Sequence, residues 1–268
     1  MPRPLAPEKK PLFSKSNIGL WFRVTFWLAI LASIAFAAKQ ARAYLNTDPH
    51  FQLACEAGAP GCVSLEIRGA VHASRARLES VFAPDFGSSV FRIPLAERRR
   101  HLLAIDWVST AVISRVWPNR IVVTITERKP VAFAKLAIGD SARYRFALVD
   151  QQGVLMSLPP KVRFRLPVAS GLTEQQPEAE RSRRIHAMQH LLDDLGPQAA
   201  DISEVNTAIT ENLRVITAID GRAVELWLGD QHYRSRYQHF LGNYAEIRKH
   251  TPDSSVFDLR MDDRILAK

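Results

Sequence analysis

The run from Ile18 to Ala38, IGLWFRVTFWLAILASIAFAA, constrains this chain more than any other feature. A helix needs ~20 apolar residues to cross the ~30 Å hydrocarbon core of a bilayer, and this run supplies them. Arg23 is its only charge. It lies one turn inside the N-terminal end, where its long stem can snorkel to the headgroups. Trp21 and Trp27 suit the interface near that end. The preceding tail holds Arg3, Lys9, Lys10 and Lys15 against Glu8, whereas the other flank has Lys39 and Arg42 and then turns neutral. This bias predicts a cytoplasmic tail over 1–17, a membrane span over 18–38, a short tether over 39–50 and an exported remainder. A cleaved signal peptide is the competing reading. Its apolar core is typically ~7–15 residues, shorter than this run, and no A-x-A cut follows at once, although Ala37-Ala38-Lys39-Gln40-Ala41 is alanine-rich.

The rest has the composition of a folded chain. Of 268 residues, 47% are hydrophobic and 24% charged, and Gly and Pro are too few for disorder throughout. The formal net charge is +9. A basic surface can attract nucleic acid, anionic lipid or an acidic protein. Here Arg98 to Arg100, Arg181, Arg183, Arg184, Arg234 and Arg236 lie far apart and accompany no RNA- or DNA-binding motif, so nucleic acid is not an expected partner. Cys55 and Cys62 are the only cysteines, in CEAGAPGC just beyond the span. An oxidising periplasm favours a disulfide there. Two free thiols are the other reading, and a zinc site lacks further ligands nearby.

Local patterns give the element order. VSLEIR alternates as a strand ending at Gly69. Ser74 can cap a helix whose Leu78, Val81 and Phe82 share one face. Pro94 suits the first position of a second helix, with Leu95, Leu102 and Leu103 inward. Strands over 110–116 and 120–126 follow, joined by Trp117-Pro118-Asn119. Strand, helix, helix, strand, strand folds as an α+β layer.

The stretch from Leu65 to Ala132 resembles a POTRA domain of the FtsQ/DivIB cell-division family. The resemblance is carried by WVSTAVISRVWPNRIVVTITERKPVAF, in which Trp107, Arg115, Trp117, Pro118, Glu127, Arg128 and Pro130 fit the family pattern. Three further segments are similar to the family in the same order: LVDQQGVLM, LPVASGL and VFDLRMDDRIL. The resemblance implies a POTRA domain over 51–130 and an FtsQ-type β domain over 131–268. The residues agree. Strands over 131–137, 144–149 and 154–157 precede a helix over 178–195 with Ile185, Met188, Leu192 and Leu195 as its stripe. Strands over 202–206, 213–219 and 223–228 follow, then a helix over 233–249 and a final strand over 256–260, either ending in a turn after Asp-Leu-Arg or extended to Leu266. An antiparallel sheet with packed helices is the expected assembly.

No catalytic constellation stands out. His186 and His190 lie four apart, but no Glu sits between them as in H-E-x-x-H and no third ligand is evident. Asp193-Asp194 and Asp262-Asp263 point in different directions on a helix or strand. There is no Gly-rich phosphate loop and no G-x-S-x-G. Neither an enzyme activity nor a metal or cofactor is expected. The resemblance implies instead a divisome scaffold of the inner membrane, concentrated at the septum, that links early and late division proteins. It implies partners similar to FtsB and FtsL docking on the last strands of the β domain, through Arg260, Met261, Asp262, Asp263 and Arg264. Met261 stands where the family often has an aromatic. The POTRA face would meet other divisome proteins. The alternative is a POTRA chaperone or docking component of an outer-membrane assembly or secretion system, but such proteins usually continue into a long barrel of alternating strands.

Overall fold

The computed structural model describes residues 15–54, 64–138, 143–160, 162–261 and 264–268. Cys55, Cys62, Asp262 and Asp263 lie outside the described residues. The chain divides into two compact units. The first comprises Met1–Glu66, Phe82–Leu95 and Ile113–Val122; the second comprises Ile67–Val81, Ala96–Val112 and Val123–Lys268.

The first unit begins with α1 (Lys15–Thr47), one uninterrupted helix. It carries the apolar run and continues through most of the segment read as a tether. Nothing between Lys39 and Thr47 breaks a helix, and the first proline beyond the run is Pro49. Asp48 then caps a 3-10 turn over Pro49–Phe51, accepting the His50 N–H at 2.8 Å. Backbone bonds tie this turn to residues further along. The Leu53 N–H donates to Ser88 O and the Val90 N–H to Phe51 O, and Ser89 Oγ donates to Leu45 O at 2.7 Å.

The elements that follow are β1 (Leu65–Arg68), α2 (Arg75–Ser80), α3 (Leu95–Leu103), β2 (Val108–Val116) and β3 (Arg120–Glu127). The three strands form one sheet in the order β1-β3-β2. Ser74 caps α2, its Oγ accepting the Arg77 N–H. β3 alternates as a half-buried strand should, enclosing Ile121, Val123 and Ile125.

Within the second unit lie β4 (Ala132–Ala137), β5 (Tyr144–Val149), β6 (Leu155–Met156), β7 (Val168–Leu172), α4 (Glu178–Leu195), β8 (Ile202–Asn206), β9 (Leu213–Ile219), β10 (Arg222–Gly229), α5 (Tyr233–His250), β11 (Val256–Asp258) and β12 (Leu266–Ala267). The strands make one sheet in the order β12-β11-β10-β9-β8-β7-β4-β5-β6. The architecture is α+β, but the sheet is mixed rather than antiparallel. β4 with β7, β7 with β8 and β10 with β11 pair in parallel. For the last two pairs the cause is connection length. α4 lies between β7 and β8, and α5 between β10 and β11, and a strand that returns through a helix enters beside its predecessor in the same direction.

One face of this sheet carries the core. Ala132, Ala134 and Leu136, then Leu213 and Val215, then Val224, Leu226 and Leu228 alternate into it. α4 adds Ile185, Met188, Leu191 and Leu195; α5 adds Tyr237, Phe240 and Tyr244. Leu191 rather than Leu192 is fully buried in α4, and the same helix buries Arg181. Arg181 is tolerated because its guanidinium donates to the carbonyls of Gly153, Glu174 and Gln176. Gly153 holds φ +79°, and a Cβ there would meet Glu178 O at 2.4 Å, so the β5–β6 turn needs glycine to reach the first turn of α4.

Candidate functional site

The end of the nine-stranded sheet carries Arg260, Met261 and Arg264, three of the five residues expected to bind a partner; Asp262 and Asp263 lie outside the described residues. The last strand is not one extension of β11. The chain leaves Asp258, reverses, and returns as β12, which pairs antiparallel with β11 through Phe257 opposite Ala267 and Asp258 opposite Leu266. The Lys268 N–H donates to Val256 O at 2.9 Å. Alternation along an antiparallel pair therefore puts the Ala267 N–H on the outer edge.

Asp258 organises this end. Its carboxylate is 4% exposed and accepts the Arg260 Nε at 2.8 Å, the Arg260 Nη2 at 2.6 Å and the Arg260 backbone N–H at 3.2 Å. Lys268 Nζ lies 3.2 Å from the same carboxylate. The Arg260 bonds outweigh burial and hold the Asp258 carboxyl far below the usual carboxylate range. Behind them stands Trp227 on β10. Lys268 Nζ lies 3.3 Å from the centre of its ring, the Arg214 guanidinium 4.0 Å and the Arg260 guanidinium 5.2 Å. Trp227 Nε1 donates to Glu225 at 2.8 Å. Met261 is exposed beyond this cluster, and Arg264 is exposed as well. With His232, Ser235, Arg236, His239, Leu259 and Ile265, Met261 lines a groove of about 460 Å³ beside the start of α5.

The other motif residues lie elsewhere. Glu127 ends β3 and accepts three backbone N–H groups on one oxygen: Val71 at 2.7 Å, His72 at 2.8 Å and Ala73 at 2.7 Å. Its other oxygen is 3.0 Å from His72 Nδ1. Burial raises the Glu127 pKa, but the bonds from Ala73, Val71 and His72 outweigh it and hold the carboxyl below its ordinary value. Trp107 is buried, stacks on His72 at 5.0 Å and donates its Nε1 to Ser157 O at 2.9 Å. Arg128 reaches the buried Asp150 at 2.9 Å, and Asp150 also accepts the Val154 N–H of its own turn. Pro130 separates β3 from β4, where no ladder donor is needed. In the first unit, Arg115 donates to Val90 O and Ile93 O, both at 2.7 Å. Trp117 is 63% exposed, and its bond to Pro118 is cis.

With this geometry in view, two family models match the chain. The model of the FtsQ-type POTRA domain matches residues 64–128, and that of the C-terminal part of cell division protein FtsQ/DivIB matches residues 141–260. The chain belongs to the FtsQ/DivIB family. Among its relatives, cell division protein FtsQ of Koribacter versatilis is 32% identical over 76% of this chain, and that of Myxococcus fulvus is 28% identical over 70%. FtsQ of Corynebacterium glutamicum is 26% identical over 36% of this chain. The chain spans 58%, 63% and 42% of these three relatives' own lengths. It is thus an FtsQ-family cell-division protein, and among the described residues one helix, near the N-terminus, is long and apolar enough to be a membrane anchor.

For this FtsQ-family chain, sequence reasoning did not single out Trp227, Asp258 or Lys268. Only Asp-Leu-Arg was legible there, since it places an acid two residues before Arg260. The ring and the terminal lysine arrive through strand pairing. His186 and His190 do not converge: His186 Nδ1 lies 2.8 Å from Ser182 O and His190 meets the Tyr233 ring. Among the described residues, no group of three His, Cys, Asp or Glu side chains could hold a metal ion.

Proposed function

We propose that the chain is a non-catalytic scaffold of the division machinery that receives an extended segment of an FtsB-like protein, with its FtsL-like companion, along the outer edge of β12. The observation that supports this most is the end of the sheet itself. β12 is short and exposed, its Ala267 N–H faces outward, and such an edge can accept an added strand. Arg260, Arg214 and Lys268 make the surroundings basic, which suits an acidic partner segment; the Nε–Nη2 fork of Arg260 is already held by Asp258, so its part would be charge and position rather than a free fork. Met261 and Arg264 are exposed near the same edge, and Asp262 and Asp263, which lie outside the described residues, belong to the same proposed contact segment. The anchor would hold this module at the inner membrane with the N-terminus in the cytoplasm and the domains in the periplasm. Beside partners anchored in that membrane at the septum, the module would help control septal peptidoglycan synthesis. Glu127, Arg128 and Pro130 would shape the connection between POTRA and β domains.

The test is capture of the cognate small division proteins by the full-length chain in detergent. Removing β12 and, separately, Arg260→Glu should each abolish or strongly weaken capture. Unchanged capture in both would sink the edge-strand site, and a full-length fusion that never gathers at midcell would sink the divisome role.

A further inference from the structure

The first unit carries an aromatic cluster that the proposed function does not use. Tyr44 on α1 meets Phe51 with ring centres 6.0 Å apart. Phe51 meets Phe91 at 5.7 Å and Trp117 at 5.6 Å, and Phe91 meets Trp117 at 5.0 Å. Tyr44 is 61% and Trp117 63% exposed, so much of the cluster faces outward. An exposed group of large aromatic rings needs an explanation, whereas one stray apolar residue does not.

The helix supplies it. Tyr44 lies six residues past Ala38, the end of the apolar run, on the same uninterrupted helix. At 1.5 Å per residue that is about 9 Å beyond the hydrocarbon edge, and helical side chains lean back toward the N-terminus. The headgroup zone is about 5–7 Å deep on each side. The Tyr44 ring therefore falls at headgroup depth. The depth of the others follows, because the Ser89 Oγ bond to Leu45 O and the Val90 N–H bond to Phe51 O fix the 88–91 segment to the helix end. Arg115 binds the carbonyls on either side of Phe91 and Arg92, so the R-x-W-P segment both fastens this segment and presents the Trp117 ring. Lys39, Arg42 and Arg92 are exposed around it, and Asp48 is engaged by the His50 N–H. Tyr and Trp with nearby cations are the groups that settle at a lipid interface.

We infer that Tyr44, Phe51, Phe91 and Trp117 form a foot that seats this unit on the lipid headgroups of the membrane that α1 crosses. The inference rests on α1 being a membrane anchor. The test places the full-length chain in nanodiscs of phosphatidylcholine and phosphatidylglycerol, with and without acyl chains brominated near the headgroup. The emission of Trp117 is the difference between wild type and Trp117→Phe; that of Trp21 with Trp27 is obtained in the same way. Trp117 emission should fall at least about twofold in brominated discs, as expected of an interfacial ring. Should Trp117→Phe fail to fold, Phe91→Trp puts a reporter inside the same cluster, where the Phe91 and Trp117 ring centres are 5.0 Å apart, and should be quenched alike. Quenched Trp21 and Trp27 with an unquenched reporter at 117 or 91 would overturn the foot alone. Unquenched Trp21 and Trp27 would overturn the anchor and the foot together. Protection of Trp117 only when other membrane proteins are added would make the cluster a protein site and overturn the inference.

Discussion

The carboxylates of Glu127 and Asp258 are both held in the ionised form, but by different donors. Glu127 faces backbone N–H groups from Val71 to Ala73, which the chain cannot withdraw. Asp258 faces the side chains of Arg260 and Lys268, which are 43% and 40% exposed. The first arrangement is made by backbone donors around a largely covered side chain, Glu127 being 11% exposed. The second is assembled from long cations at the rim of a sheet, where solvent and salt reach them. A carboxylate clamped by backbone suits a structural joint. Cations parked on a buried carboxylate and on the Trp227 ring stay charged and partly exposed, which is what the proposed acidic partner segment would require.

The sharpest way to break this comparison is to remove each anchor in turn. Glu127→Ala leaves three backbone donors without their acceptor. It should cost about 3 kcal/mol, read as a lower urea midpoint of the full chain in detergent. Arg260→Glu sets a like charge against the buried Asp258 carboxylate and should cost about 2 kcal/mol. Its effect on partner capture, weakened at least tenfold, is therefore read under conditions where the variant remains folded. Ala267→Pro is a cleaner probe of the edge. It removes the outward N–H while the Lys268 bond to Val256 stays, and proline is tolerated on edge strands. Capture should be lost with a midpoint shift below about 0.5 kcal/mol.

Acid sharpens the contrast further. Both carboxyls are depressed in the folded chain. Their contribution is therefore fully present above the unfolded values near 4, and is lost as pH falls through the folded ones. Stability should decline below about pH 4, and Glu127→Gln should flatten the Glu127 part of that decline. Raising salt at neutral pH should weaken capture at the basic sheet end and leave the Glu127 joint almost unmoved. The smallest effect belongs to Lys268→Ala. It leaves Asp258 with Arg260 and should shift the midpoint by about 0.3 kcal/mol.

Much of the fold could be read from residue order. The strands over 144–149, 202–206 and 213–219 and the helix over 178–195 have the bounds that alternation, stripe and Gly196 imply. The apolar run is a helix, and the strand-helix-helix-strand-strand order is the one observed. The direction of the strands was misread, although its signal was present. Strand, helix, strand occurs twice in the second unit, and each helical return makes a parallel pair. Alternation within a strand reports which face is buried, not which neighbour it joins. A turn after Asp-Leu-Arg was legible, but not that the chain returns as a separate paired strand, because two short strands and one long strand share the same alternating pattern.

The candidate site was legible only in part. Asp-Leu-Arg named Arg260, and the R-x-W-P and E-R-x-P motifs named Arg115, Trp117, Glu127 and Arg128. What these side chains do was not legible. Arg260 is engaged by Asp258, Arg115 fastens two carbonyls, and Glu127 gathers a turn more than fifty positions earlier in the chain.

The sequence by itself determined the apolar span, the α+β element order and the family, since these rest on local composition, periodicity and motif spacing. Only the tertiary structure decided that the sheet is mixed, that β12 forms its edge, and that Trp227, Asp258, Arg260 and Lys268 meet there. Those facts depend on pairing between residues distant in the chain, and the free energy of such a pairing is set by both strands and by the helices that cover them, not by either segment alone.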